Sequence, residues 1–275
     1  MTAGQTLLSA RRERFSLLLK RSDFQRHSLP MISLKQHIAT SLFGTLLMLV
    51  GCSEQNCRSP RLDGYAYEVV QIGEQCWFSE NLRTRVYQNG DVLQYGHDDT
   101  VWKSSNTGLR CQYNHESELG DSYGQLYNGY AVADQRGLCP TGWRIPLEED
   151  WEDLVAFVSE EASLGIAAEG WNGMAYWEVG EFLKDSCCWW PEDLLRNPEF
   201  KASNAFGFNA IPSGERSFGG FFSGGGEYGS AKWWTAPHHE GEIPYRFVTF
   251  QDSSLFDANA MRTRGFAIRC VKDLE

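Results

Sequence analysis

Apolar positions change period along the chain. Over "RIPLEEDWEDLVAFV", Leu147, Trp151, Leu154, Val155 and Val158 recur at three- and four-residue steps, which makes one helical stripe. Pro146 suits the first turn of that helix, and Glu148, Glu149 and Asp150 favour the positive end of its dipole. "SYGQLYNGYAVAD" places Leu126, Tyr127, Tyr130 and Ala131 on one face of a second helix. "YAYEVVQIGEQCWFSENL" reads as two strands about a turn at Gly73-Glu74. Further strands are expected at "KWWTAP", "YRFVTFQ" and "GFAIRCVKD". In the last, Phe266, Ile268 and Cys270 alternate with Ala267, Arg269 and Val271, the period of a strand. The stretch "LLRNPEFKASNAFGFNAIPSGERSFGGFFSGGGEYGS" is irregular. Strands, two main helices, a long irregular middle and short antiparallel strands predict an α+β domain over 62–273.

Upstream the pattern is different. Ile38 to Val50 form a run of thirteen mostly apolar residues behind Lys35 and His37. A membrane span needs about 20 residues, so the run fits the apolar region of a secretory signal. It closes in Leu49-Val50-Gly51-Cys52, which resembles the bacterial lipobox. That resemblance implies that the Cys52 thiol carries a diacylglyceryl group and heads the mature chain. The expected layout is an upstream extension absent from the mature protein (1–30), a lipoprotein signal peptide (31–51), a tether (52–61) and the domain. Two acyl chains, palmitate among them, suffice for stable anchoring. The mature protein is therefore expected to be exported and tethered to the cell envelope, at the outer membrane, without spanning it.

Charge narrows the partners. Residues 1–51 carry seven Lys/Arg and two Asp/Glu, leaving 18 and 34 for the remainder. So acidic a domain repels phosphate backbones, which sets nucleic acid aside. Ten Trp and 13% aromatics supply a packed core.

Chemistry-bearing clusters are few. "SFGGFFSGGGEYGS" has no Gly-Lys-Ser/Thr and is not a phosphate loop. It reads either as a flexible loop or as a binding loop presenting Phe221, Phe222 and Tyr228, whose rings stack on sugars or pack on a protein. In "KWWT", Trp233 and Trp234 face opposite ways. Either both are buried in a covered sheet, or one joins the aromatic platform. His238, His239 and Glu240 in "PHHEG" read as a polar turn. The acidic runs "HDD" and "EED" lack the ligand spacing of a calcium loop, and no Cys-x-x-Cys marks a zinc site. No metal or cofactor is expected. No Gly-x-Ser-x-Gly or His-Glu-x-x-His motif occurs either.

The ordered pieces "LDGYAYEVVQIGEQCWFSENL", "CQYNHESELGDSYGQLYNGYAV", "LCPTGWRIPLEEDWEDLV", "GFNAIPSGERSFGGFFSGGGEYGSAKWWTA" and "GFAIRCVKD" together resemble the Fibrobacter succinogenes major paralogous domain. The chain departs from that pattern at 159–201, where a longer stretch with "GEFLKDSCCWWPEDLL" stands. The resemblance implies a C-type lectin-like fold in an exported protein. It implies a binding or adhesion module for a glycan or an extracellular protein, with no catalytic residue. Two rivals stay open: an enzyme akin to the formylglycine-generating enzymes, which share that fold, and a purely structural envelope protein. The Glu-Pro-Asn and Gln-Pro-Asp motifs of calcium-dependent lectins are absent.

Eight cysteines are present, and with Cys52 lipidated an odd seven remain. The family motifs "CPTGW" and "IRCV" imply a Cys139–Cys270 bond, contributing about 4–5 kcal/mol in the chain-entropy model. Cys57 with Cys76 is a second candidate. Cys187 and Cys188 pair either with each other or with separate partners, Cys111 among them.

Cys52→Ala should lose metabolic lipid labelling and leave the membrane fraction. Continued palmitate uptake by the variant would mean that another residue carries the anchor.

Overall fold

The stretch read as a hairpin folds as one. In the computed structural model, which describes residues 57–164, 168–170, 173–191 and 202–274, β1 (Arg61–Leu62) and β2 (Tyr65–Ala66) form a small ribbon. Then β3 (Val69–Ile72) and β4 (Gln75–Phe78) pair antiparallel. Gly73 makes their turn at φ 59°, a left-handed conformation that glycine adopts freely. The described residues all belong to one compact unit, Cys52–Glu275. Cys52 itself, the upstream extension and the signal segment lie outside the described residues.

The remaining strands are β5 (Gln94–Tyr95), β6 (Leu109–Cys111), β7 (Leu126–Asn128), β8 (Ala168–Gly170), β9 (Gly173–Tyr176), β10 (Ser213–Arg216), β11 (Phe222–Gly225), β12 (Ser230–Trp234), β13 (Ile243–Thr249), β14 (Leu255–Ala260), β15 (Gly265–Phe266) and β16 (Val271–Asp273). The helices are α1 (Asp99–Ser104), α2 (Ser117–Tyr123), α3 (Gly129–Val132), α4 (Glu148–Glu161) and α5 (Val179–Leu183). The large sheet runs β5-β6-β7-β15-β10-β12-β13-β14-β9-β8, with β11 hairpinned onto β10. A smaller sheet, β16-β4-β3, joins the end of the domain to its start. The architecture is mixed α+β and dominated by sheet.

Helix α4 forms where the stripe placed it, and Trp151, Leu154, Val155 and Val158 are buried. Leu147 and Pro146 differ from expectation. Leu147 is the N-cap and is exposed, and Pro146 lies one residue ahead of it. Asp150 reaches back to the Leu147 N–H at 2.6 Å and also holds Gln75 at 2.9 Å and the Arg144 guanidinium. The acidic "EED" run thus serves the helix start.

The second expected helix, with Leu126, Tyr127, Tyr130 and Ala131 on one face, does not form as one element. Leu126 and Tyr127 lie on β7, paired with β6 and β15. Only the single turn α3 follows. Asn128 makes the break, because its Oδ1 accepts from Leu109 N–H and from Ala131 N–H at the start of α3. Gly129 then passes so close to Arg262 that an added Cβ would lie 2.7 Å from its Cα.

The alternation in "GFAIRCV" is real, yet neither face meets solvent. Ala267 and Val271 enter one core with Trp77, Trp151, Trp233 and Phe208. Phe266, Ile268 and Cys270 enter a second core with Phe78, Tyr127, Trp143 and Trp234. The segment threads between the sheets. Leu82 N–H donates to Ile268 O, Phe78 N–H to Cys270 O and Trp234 N–H to Ala267 O.

Arg269 lies in the same segment and is fully buried. It donates to Asn81 Oδ1 at 2.7 Å, to the Phe78 carbonyl at 3.0 Å, to the Asn209 carbonyl at 2.8 Å and to the Phe208 carbonyl. Asn81 Oδ1 also accepts from Trp233 Nε1 at 2.9 Å. Burial pulls the guanidinium pKa down to about 9, which still leaves it charged at neutral pH.

Cys139 is bonded to Cys270 across 131 residues and Cys57 to Cys76 across 19. Of the two alternatives for Cys187 and Cys188, the structure takes the vicinal bond. Cys111 is left free and buried, and burial pushes its thiol up to about 12.

Candidate functional site

The hairpin joining β10 to β11 builds the clearest site. Its turn is closed by Ser217, whose N–H donates to Phe221 O at 2.7 Å and whose carbonyl accepts from Gly220 N–H at 3.0 Å. Gly220 has φ 97°, and an added Cβ would lie 2.6 Å from Asp99 Cβ. Only glycine meets both demands. Phe221 follows and is 71% exposed.

Beneath the turn, Arg216 is fully buried. Its Nη2 donates to Asp99 Oδ1 at 2.7 Å and its Nε to the Gly220 carbonyl at 2.8 Å, while Nη1 reaches the Gly96 carbonyl. The guanidinium also stacks over Trp102 at 4.4 Å and Phe222 at 5.0 Å. One side chain therefore locks the hairpin to the start of α1. Asp98 caps that helix, accepting from Thr100 and Val101 N–H, and these bonds hold its carboxyl below the usual range.

These elements enclose an open recess of about 650 Å3, lined by His97, Asp98, Asp99, Asn114, His115, Gly220, Phe221 and Phe222. The His97 and His115 rings lie 4.7 Å apart, and His115 meets Phe222 edge-on at 5.0 Å. Tyr95 Oη and His115 Nδ1 share a hydrogen bond at 3.1 Å. Asn114 and His115 both have left-handed backbone, at φ 52° and 61°. Consecutive non-glycine residues there are costly, and such strain gathers at binding sites. Burial, then Arg216 and His97, lower the His115 pKa below 6.5. The recess thus sets an exposed aromatic face beside carboxylate, amide and imidazole groups.

The other expected site residues scatter. Tyr228 is half exposed and packs edge-on against Phe250 at 5.3 Å, outside the recess. Trp233 and Trp234 are corrections to the platform. Both are fully buried, on opposite faces of β12, because the sheet is covered on each side. Trp234 Nε1 donates to Tyr127 O at 2.7 Å, which satisfies its polar atom inside the core. His238 approaches Glu148 at 3.4 Å on the surface. Among the described residues no cluster of three or more His, Cys, Asp or Glu is arranged to hold a metal.

His97, His115 and Arg216 were not singled out from the sequence. "HDD" drew notice for its carboxylates alone, and "YNHE" carries no spacing signal for a ring pair. The bonds that bring Arg216 to Gly96 and Asp99 span 120 and 117 residues of chain, and the His97–His115 ring pair forms only where two loops meet.

The model of the Fibrobacter succinogenes major domain matches residues 70–272. The chain belongs to this family. No curated protein and no solved structure matches it. The family model thus spans the α4 helix, the recess and the buried Arg269, and ends on β16.

The depressed His115 pKa has a sign that can be checked. The fold favours neutral imidazole, so the unfolded chain takes up its proton first as pH falls through 6.5, and stability falls with it. NMR titration of the ring should place the His115 midpoint below 6.5. Phe222→Ala, which uncovers the ring, should move the midpoint back toward 6.5. A wild-type midpoint at or above 6.5 would mean that the ring is hydrated and the recess is not built as described.

Proposed function

We propose that this member of the Fibrobacter succinogenes major domain family is an exported, lipid-anchored binding module with a C-type lectin-like domain. In this reading Cys52 tethers it to the outer membrane, and the recess beneath Phe221 receives a glycan. The observation that carries the reading is the exposed Phe221, which lines one recess with His97, Asp99, Asn114 and His115. A sugar ring presents an apolar C–H face and a rim of hydroxyls. An aromatic face beside carboxylate and amide groups complements both. An extracellular protein is the alternative ligand, meeting Phe221 with an apolar side chain.

A catalytic role akin to that of the formylglycine-generating enzymes has less support. Those enzymes use a cysteine pair near the end of the domain. Here Cys270 is buried in its bond to Cys139, and Cys111 is buried with its thiol pushed away from the reactive form.

The test is a glycan array probed with the full-length chain in detergent, beside Phe221→Ala. The variant should keep its stability within about 0.5 kcal/mol, as an exposed side chain does. It should lose roughly tenfold or more in affinity for the glycans that the wild type binds. Equal binding by the two proteins removes Phe221 from the site. A wild type that binds no glycan but captures a protein through Phe221 selects the alternative ligand.

A further inference from the structure

The loop after α5 holds a feature that the recess does not use. Cys187 and Cys188 are bonded to each other, with Cα atoms 3.8 Å apart, and both residues are exposed. Cys188 has φ 73°, in the left-handed region that favours glycine. Cys187 N–H is held by Asp185 Oδ1 at 2.9 Å, which fixes the turn in front of the pair. The two residues that follow are buried core, Trp189 and Trp190, flanking the Lys184 ammonium at 5.3 and 5.6 Å.

The three disulfides among the described residues differ in what the fold does for them. Cys139–Cys270 closes 131 residues and both partners are buried, so an incoming thiolate reaches neither sulfur without unfolding. Cys57–Cys76 closes 19 residues and has one fully buried partner. Cys187–Cys188 closes no chain loop, so the loop-entropy contribution that couples a disulfide to folding is minimal. Both of its residues are exposed, and exchange at a surface disulfide is governed by access.

We propose that Cys187–Cys188 is a reversible thiol–disulfide exchange site whose reactant is an exported dithiol reductant. The thiolate of the dithiol attacks one sulfur of the pair, forming a mixed disulfide and releasing the other cysteine as a thiolate. The second thiol of the reductant then attacks the mixed disulfide and releases the first cysteine. Two electrons and two protons pass to the pair, and the reductant leaves as its own disulfide.

The consequence falls on the glycine-rich segment. The Trp189 carbonyl, one residue beyond the pair, accepts from Tyr228 N–H at 2.9 Å. Tyr228 is itself left-handed, at φ 58°. Opening the ring frees Cys188 to leave its left-handed conformation, and the Trp189 carbonyl is the next group along the chain to feel the change. Reduction therefore loosens the Tyr228 edge of the β11–β12 connection while the two structural bonds stay closed. This inference rests on the proposed export but not on the glycan reading, because Tyr228 lies outside the Phe221 recess.

The test titrates the full-length oxidised protein with dithiothreitol, alkylates the free thiols and maps the labelled peptides. Hydrogen exchange at 224–229 is followed in parallel. Cys187 and Cys188 should be labelled at reductant concentrations that leave Cys57–Cys76 and Cys139–Cys270 intact, and exchange at Tyr228 should quicken in the same range. The Cys187→Ser/Cys188→Ser variant should show quick Tyr228 exchange without reductant and no further response to it. Labelling of the pair only together with the other two disulfides would overturn the proposal. So would a fully labelled pair in untreated exported protein. Early labelling with unchanged exchange at Tyr228 would overturn the coupling to the loop.

Discussion

A full charge sits at the centre of this domain, and among the described residues no carboxylate is bonded to it. Arg269 is completely buried, and its donors go to three backbone carbonyls and one asparagine oxygen. Burying an ion without its partners costs several kcal/mol, so the charge is tolerated only where acceptors are already fixed around it. Those acceptors come from two stretches remote in sequence, the end of β4 with the Asn81 loop just after it, and Phe208-Asn209. Each must be in place for the others to be useful, and the Phe208 ring stacks on the guanidinium at 4.7 Å. Asn81 extends the network to Trp233 and, through Nδ2, to the Tyr123 carbonyl that ends α2. The two aromatic cores meet at this hub, with Trp233 on one side and Trp234 on the other.

A second buried arginine does a different job. Arg216 shares its charge with Asp99, which is about half exposed, and ties the hairpin below Phe221 to α1. The contrast suits the proposed function. The Arg269 network uses buried and part-buried acceptors and fixes the scaffold. The Arg216 network ends at a solvent-facing carboxylate and fixes the rim of a recess. A binding face needs both, since an exposed aromatic ring is selective only when the backbone beneath it does not move.

Helix α4 and the Gly73 hairpin were legible in sequence because their signals are local: an apolar stripe, acidic residues at the helix start and a glycine at a turn. The strand at Leu126–Asn128 was misread as helix because Leu126, Tyr127, Tyr130 and Ala131 have helical spacing. The pairing of Tyr127 with Phe266, 139 residues away, outweighs that spacing. Trp233 and Trp234 show another limit. Alternation assigned them to opposite faces correctly, but whether each face is covered depends on elements elsewhere in the chain. Of the aromatic platform, Phe221 and Phe222 reach the recess. The histidines beside them carry no sequence pattern, since their pairing is set by two separate loops meeting.

Equilibrium urea unfolding of Arg269→Met tests the central role of the buried guanidinium most directly. Methionine fills much of the space but takes the donor away from the Phe78, Phe208 and Asn209 carbonyls. The variant is expected to lose at least about 3 kcal/mol relative to wild type, since each stranded buried acceptor costs roughly 1–3 kcal/mol. A loss below about 1 kcal/mol, the size of one ordinary hydrogen bond, would contradict the account and show that the aromatic cores hold the fold without the arginine.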